Sequence, residues 1–158
     1  MSNARDGDGE SIRPRKLRDL NAPREALERA LETHSQTFGT FFLARFLGFE
    51  VSFDQDTCTV TFDVREDLHN PRATLQGGVI ATALDVAMGH LIHHLQSSAA
   101  TIALNVQYHR PISSGRLRCV AQVLHRGSRV WSMTAFAYDG ADNLIASATS
   151  SFQLLRPN

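Results

Sequence analysis

Between Gln76 and Leu95 the chain carries one carboxylate, Asp85, in a mostly apolar run without lysine or arginine. Burying a carboxylate is costly unless it is paired, and no Lys or Arg stands between Arg72 and Arg110 to pair with it locally. A purely structural acid there would be satisfied by a hydroxyl or backbone donor, with Thr82 one turn away as a candidate. A catalytic acid uses the same surroundings differently, because desolvation raises its pKa towards that of a general base or nucleophile. Gly77 and Gly78 stand at the start of the same run. A glycine pair permits a tight turn and close packing. It also exposes backbone N–H groups at a helix N-terminus, where the dipole favours a developing oxyanion.

Residues 77 to 95 read as the helix that positions both features. From Val79 to Met88 only Thr82 and Asp85 are polar, and a helix apolar on nearly every side is buried on nearly every side. Gly77 and Asp85 lie eight residues apart, hence about 12 Å along the axis at ~1.5 Å per residue. One reactive carbonyl cannot touch both within a single chain. If two such helices run antiparallel, the N-terminus of one lies beside the middle of the other, and acid and amides converge. The expected site is composite and present twice in a dimer.

The flanking pattern supplies the walls. "NAPREALERALETHSQTF", from Asn21 or Ala22 as cap, puts Ala26, Leu27, Ala30, Leu31 and Phe38 at helical spacing. The period then falls to two: Phe49, Val51 and Phe53 alternate with polar residues, as do Cys58, Val60, Phe62 and Val64 after the turn "DQDT". Four more alternating stretches follow the helix. They are carried by Ile102, Leu104, Val106 and Tyr108; by Leu117, Cys119, Ala121 and Val123; by Trp131, Met133, Ala135 and Ala137; and by Ile145 to Phe152. Strands joined by short turns make an antiparallel sheet, one face to water and one to the helix, an α+β arrangement. Six strands cover one face of that helix, so its other face must meet a second copy.

Composition bounds the partners. With 158 residues, 42% hydrophobic and 20% charged, the chain suits one globular domain, expected over 21–158 after a mobile polar leader at 1–20. Sixteen basic and sixteen acidic residues cancel, so no global field recruits nucleic acid or an anionic membrane. The start lacks an apolar signal region and no stretch suits a bilayer span; a cytoplasmic location is the expectation. Cys58 and Cys119 fall within apolar alternation and read as buried free thiols.

"HN", then "LQGGVIATALDVAMG", then "TIALNVQYHRP" resemble the PaaI-type acyl-CoA thioesterases of the hotdog, or 4-hydroxybenzoyl-CoA thioesterase, superfamily, over about residues 38 to 155. The resemblance implies a long central helix wrapped by an antiparallel sheet, and dimers or dimers of dimers. It also implies metal-free hydrolysis of an acyl-CoA thioester, coenzyme A being part of the substrate and no separate cofactor being needed. By position, Asp85 matches the acid that activates water or attacks the thioester, and Gly77 the backbone donor to its carbonyl. Asn70 matches the side chain that orients substrate or water, and Thr101 the hydroxyl that helps hold the lytic water. Gln76 departs from the histidine many members carry; its amide can donate a hydrogen bond but cannot take a proton.

Coenzyme A carries phosphates, and a neutral chain must meet them locally. Gly78, Arg110 beside Pro111, and Arg126 and Arg129 in "HRGSR" are the candidates, since Arg's forked donors suit phosphate; a solvated turn explains the last two equally well. Residues 38 to 47, "FGTFFLARFL", are candidates for the acyl pocket as well as for ordinary core. His90 and His94, four apart, lack a carboxylate or Cys to complete a zinc set, and histidines near a helix C-terminus are favoured by the dipole. A non-catalytic acyl-CoA binding or sensing module is the rival reading, which Gln76 keeps open and Asp85 opposes.

Overall fold

The computed structural model describes residues 16–96 and 98–155, so most of the expected leader lies outside the described residues. The elements are α1 (Asn21–Thr33), α2 (Phe42–Leu47), β1 (Glu50–Asp54), β2 (Thr57–Asp63), α3 (Gly77–Leu95), β3 (Ala99–Tyr108), β4 (Arg116–Arg126), β5 (Val130–Tyr138) and β6 (Leu144–Leu154). All six strands form one antiparallel sheet in the order β1-β2-β4-β5-β6-β3, which leaves β1 and β3 as its two edges.

Helix α3 lies across the sheet with the bounds its apolar run predicts. Ile80, Ala83, Leu84, Ala87, Met88, Leu91 and Ile92 are buried against the inward side chains of the strands, among them Phe62, Leu117, Met133, Ile145 and Phe152. The period-two stretches fix which strand residues point in: Val60 faces Cys119 across one ladder and Phe62 faces Leu117. Both cysteines are free and buried, and desolvation pushes each thiol up to about 12. Among the described residues no helix is long and apolar enough to cross a membrane.

Helix α3 is not sealed on every side. Thr82, Asp85, Val86 and Gly89 keep part of their surface, so a stripe of the helix opposite the core is left open, as the sheet's one-sided cover requires. Among the described residues, strand β3 beside it is a ten-residue edge bonded only to β6. Long open edges template further pairing.

The N-terminal expectations need correction. Helix α1 stops at Thr33, five residues before Phe38, and its N-cap position is Leu20 rather than Asn21 or Ala22; Asp19 Oδ1, one residue earlier, accepts the Asn21 N–H at 2.8 Å. Ala26 and Ala30 are its buried residues, whereas Leu27 and Leu31 are exposed; small side chains let α1 sit close to α2. Within 38 to 47 there is a second short helix, which period analysis of so short a run does not resolve. Gly48 ends it in the left-handed conformation at φ 74°, returning its N–H to the last turn. Arg65, ion-paired to Asp67 at 3.0 Å, donates to the Phe46 carbonyl and ties that helix end to the loop before α3.

Candidate active site

Asp85 is held by a hydroxyl from the edge strand. Thr101 Oγ1 donates to Asp85 Oδ1 at 3.1 Å, whereas Thr82, the nearer candidate in sequence, donates to the Gly78 carbonyl at 2.9 Å. The alternation places Ile102, Leu104, Val106 and Tyr108 on one inner face of β3, which would turn Thr101 outwards. The structure corrects this with a bulge. Thr101 pairs with Phe152 but Ala103 with Ser151, so Ile102 is an extra residue and Thr101 joins Leu104, Val106 and Tyr108 on the face towards α3. Ile102 is correspondingly 56% exposed. A half-buried carboxylate without a cation needs a donor, and the bulge delivers one. Burial raises the Asp85 pKa above the usual carboxylate range, and the Thr101 hydrogen bond pulls it partly back.

The helix N-terminus forms a second cluster. Gln76 is its N-cap residue, and Gln76 Oε1 accepts the Gly77 N–H at 3.1 Å. Tyr108, which the sequence reading treats only as apolar strand, packs on Gly77 and donates from Oη to its carbonyl at 2.8 Å. A Cβ at position 77 would stand 3.2 Å from that ring, so any larger residue there must push Tyr108 back by a few tenths of an ångström. Nothing local in the sequence marks this pairing, because the two residues are brought together only by strand β3 crossing the start of α3. Asn70 Oδ1 accepts the Arg72 N–H at 2.8 Å and its Nδ2 donates to Thr74 Oγ1 at 2.9 Å, so Asn70 organises the loop that leads into α3. Asn70, Gly77, Tyr108 and Arg110 line one open cavity of about 320 Å³.

Within one chain, then, Asn70, Gln76, Gly77, Gly78 and Arg110 gather at the helix start, and Asp85 with Thr101 stands two turns further on. The other arginines are elsewhere. Arg110 bonds Asn143 Oδ1 at 3.0 Å beside the β5–β6 turn, whereas Arg126 and Arg129 belong to the β4–β5 hairpin at the opposite end of β5. Arg126 is ion-paired to Asp56 at 2.9 Å and lies over the Trp131 ring. The Arg129 carbonyl accepts from Leu154 N–H at 2.9 Å, at the end of the sheet where β3 begins. Among the described residues no group of three or more His, Cys, Asp or Glu is placed to hold a metal ion.

Residues 73–146 match the family model of the thioesterase superfamily, a span that includes Gly77, Asp85 and Thr101 but not Asn70. A relative named "Putative esterase" from Saccharolobus solfataricus is 26% identical over 114 residues, 70% of this chain and 76% of that protein. Another of that name from Pseudomonas aeruginosa is 28% identical over 105 residues, 62% of this chain and 72% of its own. Among solved structures, a Bacillus halodurans protein crystallised with CoA superposes with a TM-score of 0.75 at 28% identity, covering 88% of this chain and 92% of that one. A Haemophilus influenzae thioesterase shares the fold at a TM-score of 0.67 and 18% identity, over 70% of this chain and 80% of its own.

Proposed function

We propose that this chain, which matches the thioesterase superfamily over residues 73–146, hydrolyses an acyl- or aryl-CoA thioester to the free acid and CoA. The observation that carries the proposal is the Thr101–Asp85 pair on the open stripe of α3: an acid whose pKa is raised, held by the Thr101 hydroxyl, with no cation paired to it among the described residues. Asp85 either takes the proton of a water attacking the thioester carbonyl or attacks that carbonyl itself. The carbonyl oxygen is met by the Gly77 N–H at the positive end of a helix.

That N–H comes from a second copy. The ~12 Å helix rise between Gly77 and Asp85 keeps them from sharing a carbonyl within one chain. The open stripe of α3 and the unpaired β3 edge adjoin each other, so a homodimer formed there would extend the sheet and lay the two helices side by side. Further pairing into a dimer of dimers follows from the family resemblance alone. In such a dimer Arg110 stands on the Gly77 side of each site and is the favoured phosphate contact. Arg126, already paired with Asp56, is the weakest of the three arginines for that role.

One observation favours the rival reading of a binding module: Gln76 Oε1 occupies the Gly77 N–H. Substrate carbonyl oxygen must displace that side chain, whose Nε2 donors are then available to the same oxygen. The test is a panel of acyl- and aryl-CoA thioesters followed with a thiol-detecting reagent, with and without EDTA. Hydrolysis of at least one member, unaffected by the chelator, is the expected result. CoA binding without any hydrolysis would establish the binding module, and activity abolished by EDTA and restored by zinc would make the reaction metal-dependent.

A further inference from the structure

A cavity of about 570 Å³ is distinct from the one at Gly77. It lies at the other end of α3, between the helix, segment 38–45 and strand β1, and its walls include Phe38, Arg45, Phe53, His90, His93 and His94. Strand β1 is the edge of the sheet opposite to β3, where Thr101 meets Asp85. On the helix itself His90 is about 7.5 Å beyond Asp85 and about 140° around the axis.

Two features of this cavity go unexplained by packing. His90 is only 4% exposed, its ring is hydrogen-bonded to the Val86 carbonyl, and its buried Nε2 has no partner among the described residues. Arg45 Nε is also buried without a partner among the described residues. Buried polar atoms left unmatched are costly, and two of them on side chains that line one cavity point to an occupant that supplies the match. The remaining walls are planar: Phe38 stacks on His93 at 3.7 Å between centroids, Phe53 stacks on His94 at 4.5 Å, and Phe38 meets His90 edge-on. Phe38 and Phe53 are nevertheless 51% and 44% exposed, so their outer surfaces are uncovered.

We propose that this cavity is a second ligand site, separate from the hydrolytic one, for a small aromatic carboxylate. The ring packs against the Phe38–His93 and Phe53–His94 pairs, and the carboxylate accepts from Arg45 Nε–H and from His90 Nε2–H. The charged and titratable groups around His90 are His93 and His94 on its own helix, Arg45 on α2 and Glu50 on β1. Glu50 is committed to Arg116 at 2.7 Å, which leaves no free anion among the described residues that line the cavity and suits it to receiving one. Binding brings the counter-charge that lets His90 Nε2 take up a proton.

The probe is benzoate, titrated into the full chain while the His90 imidazole ¹⁵N signals are followed. Saturable shifts with Kd of about 1 mM or tighter are expected. Benzamide, which keeps the ring and loses the charge, and cyclohexanecarboxylate, which keeps the charge and loses the plane, should each bind at least tenfold more weakly. Arg45→Met and His90→Phe should each weaken benzoate at least tenfold. The absence of a saturable His90 shift in the wild-type chain overturns the site, whatever the variants do. Equal binding of cyclohexanecarboxylate overturns the aromatic assignment. Competitive inhibition of hydrolysis that His90→Phe relieves would show the cavity to be part of the hydrolytic site and overturn its independence.

Discussion

Asp85 and His90 are ionisable side chains five residues apart on one helix, and the fold treats them differently. Burial moves both towards their neutral forms, raising the acid and lowering the base. Asp85 stands on the open stripe, beside an edge strand whose bulge turns Thr101 in to donate to it. His90 stands on the covered side, with Nε2 unmatched. An acid kept able to ionise at a surface that a second copy can complete is equipped for proton transfer. A buried imidazole on an aromatic-walled cavity is equipped to recognise.

The sharpest way to break the contrast is Asp85→Asn. The isosteric amide cannot act as base or nucleophile, so kcat should fall by about 10²–10⁴ while CoA affinity is kept. The melting midpoint at pH 7 should be no lower than that of the parent, because a carboxylate with a raised folded pKa is destabilising once ionised and the amide removes that charge. A drop in midpoint together with lost CoA binding would make Asp85 a structural acid.

Next in size is Thr101→Val, which should cost about tenfold in kcat/KM and carry a signature in pH. Activity that needs ionised Asp85 rises with pH through its raised pKa. The Thr101 hydrogen bond stabilises the ionised form, so removing it must move the rising limb to higher pH. A limb that stays in place, or moves to lower pH, would detach Thr101 from the titrating group. The smallest effect is expected for Gln76→His, which puts the commoner family residue at the N-cap and should retain or modestly raise turnover. A large loss in steady-state assays would give Gln76 a required role of its own, through the N–H it caps or the amide it presents.

The span of α3, the six strands and their short turns were legible because each rests on a local periodicity that burial on one sheet face enforces. Asp85 was legible for the complementary reason, as a break in an apolar run that physical chemistry must explain. Thr101 was reached by resemblance only, since the bulge at Ile102 that turns it inwards leaves no mark in an alternating stretch. Tyr108 on Gly77 was not legible at all, being a contact between residues 31 apart in sequence. The end of α1 was misplaced because Phe38 fits helical spacing by chance, while Phe38 belongs instead to the cavity wall at His90.

The composite site is tested most directly by mixing two disabled chains. Gly77→Pro removes the donor N–H at the first helical position, where proline is tolerated, and Gly77→Ala serves as control for the crowding of Tyr108 because it keeps the N–H. In a heterodimer of Asp85→Asn with Gly77→Pro, one of the two sites draws Asp85 and Gly77 from intact copies and the other carries both defects. The purified heterodimer should therefore recover up to about half of the parent activity, and an unsorted equimolar co-refolding mixture, about half of it heterodimer, up to about a quarter, from two inactive parents. Verified heterodimers that stay inactive, with both chains folded and Gly77→Ala active, would contradict a site shared between two copies.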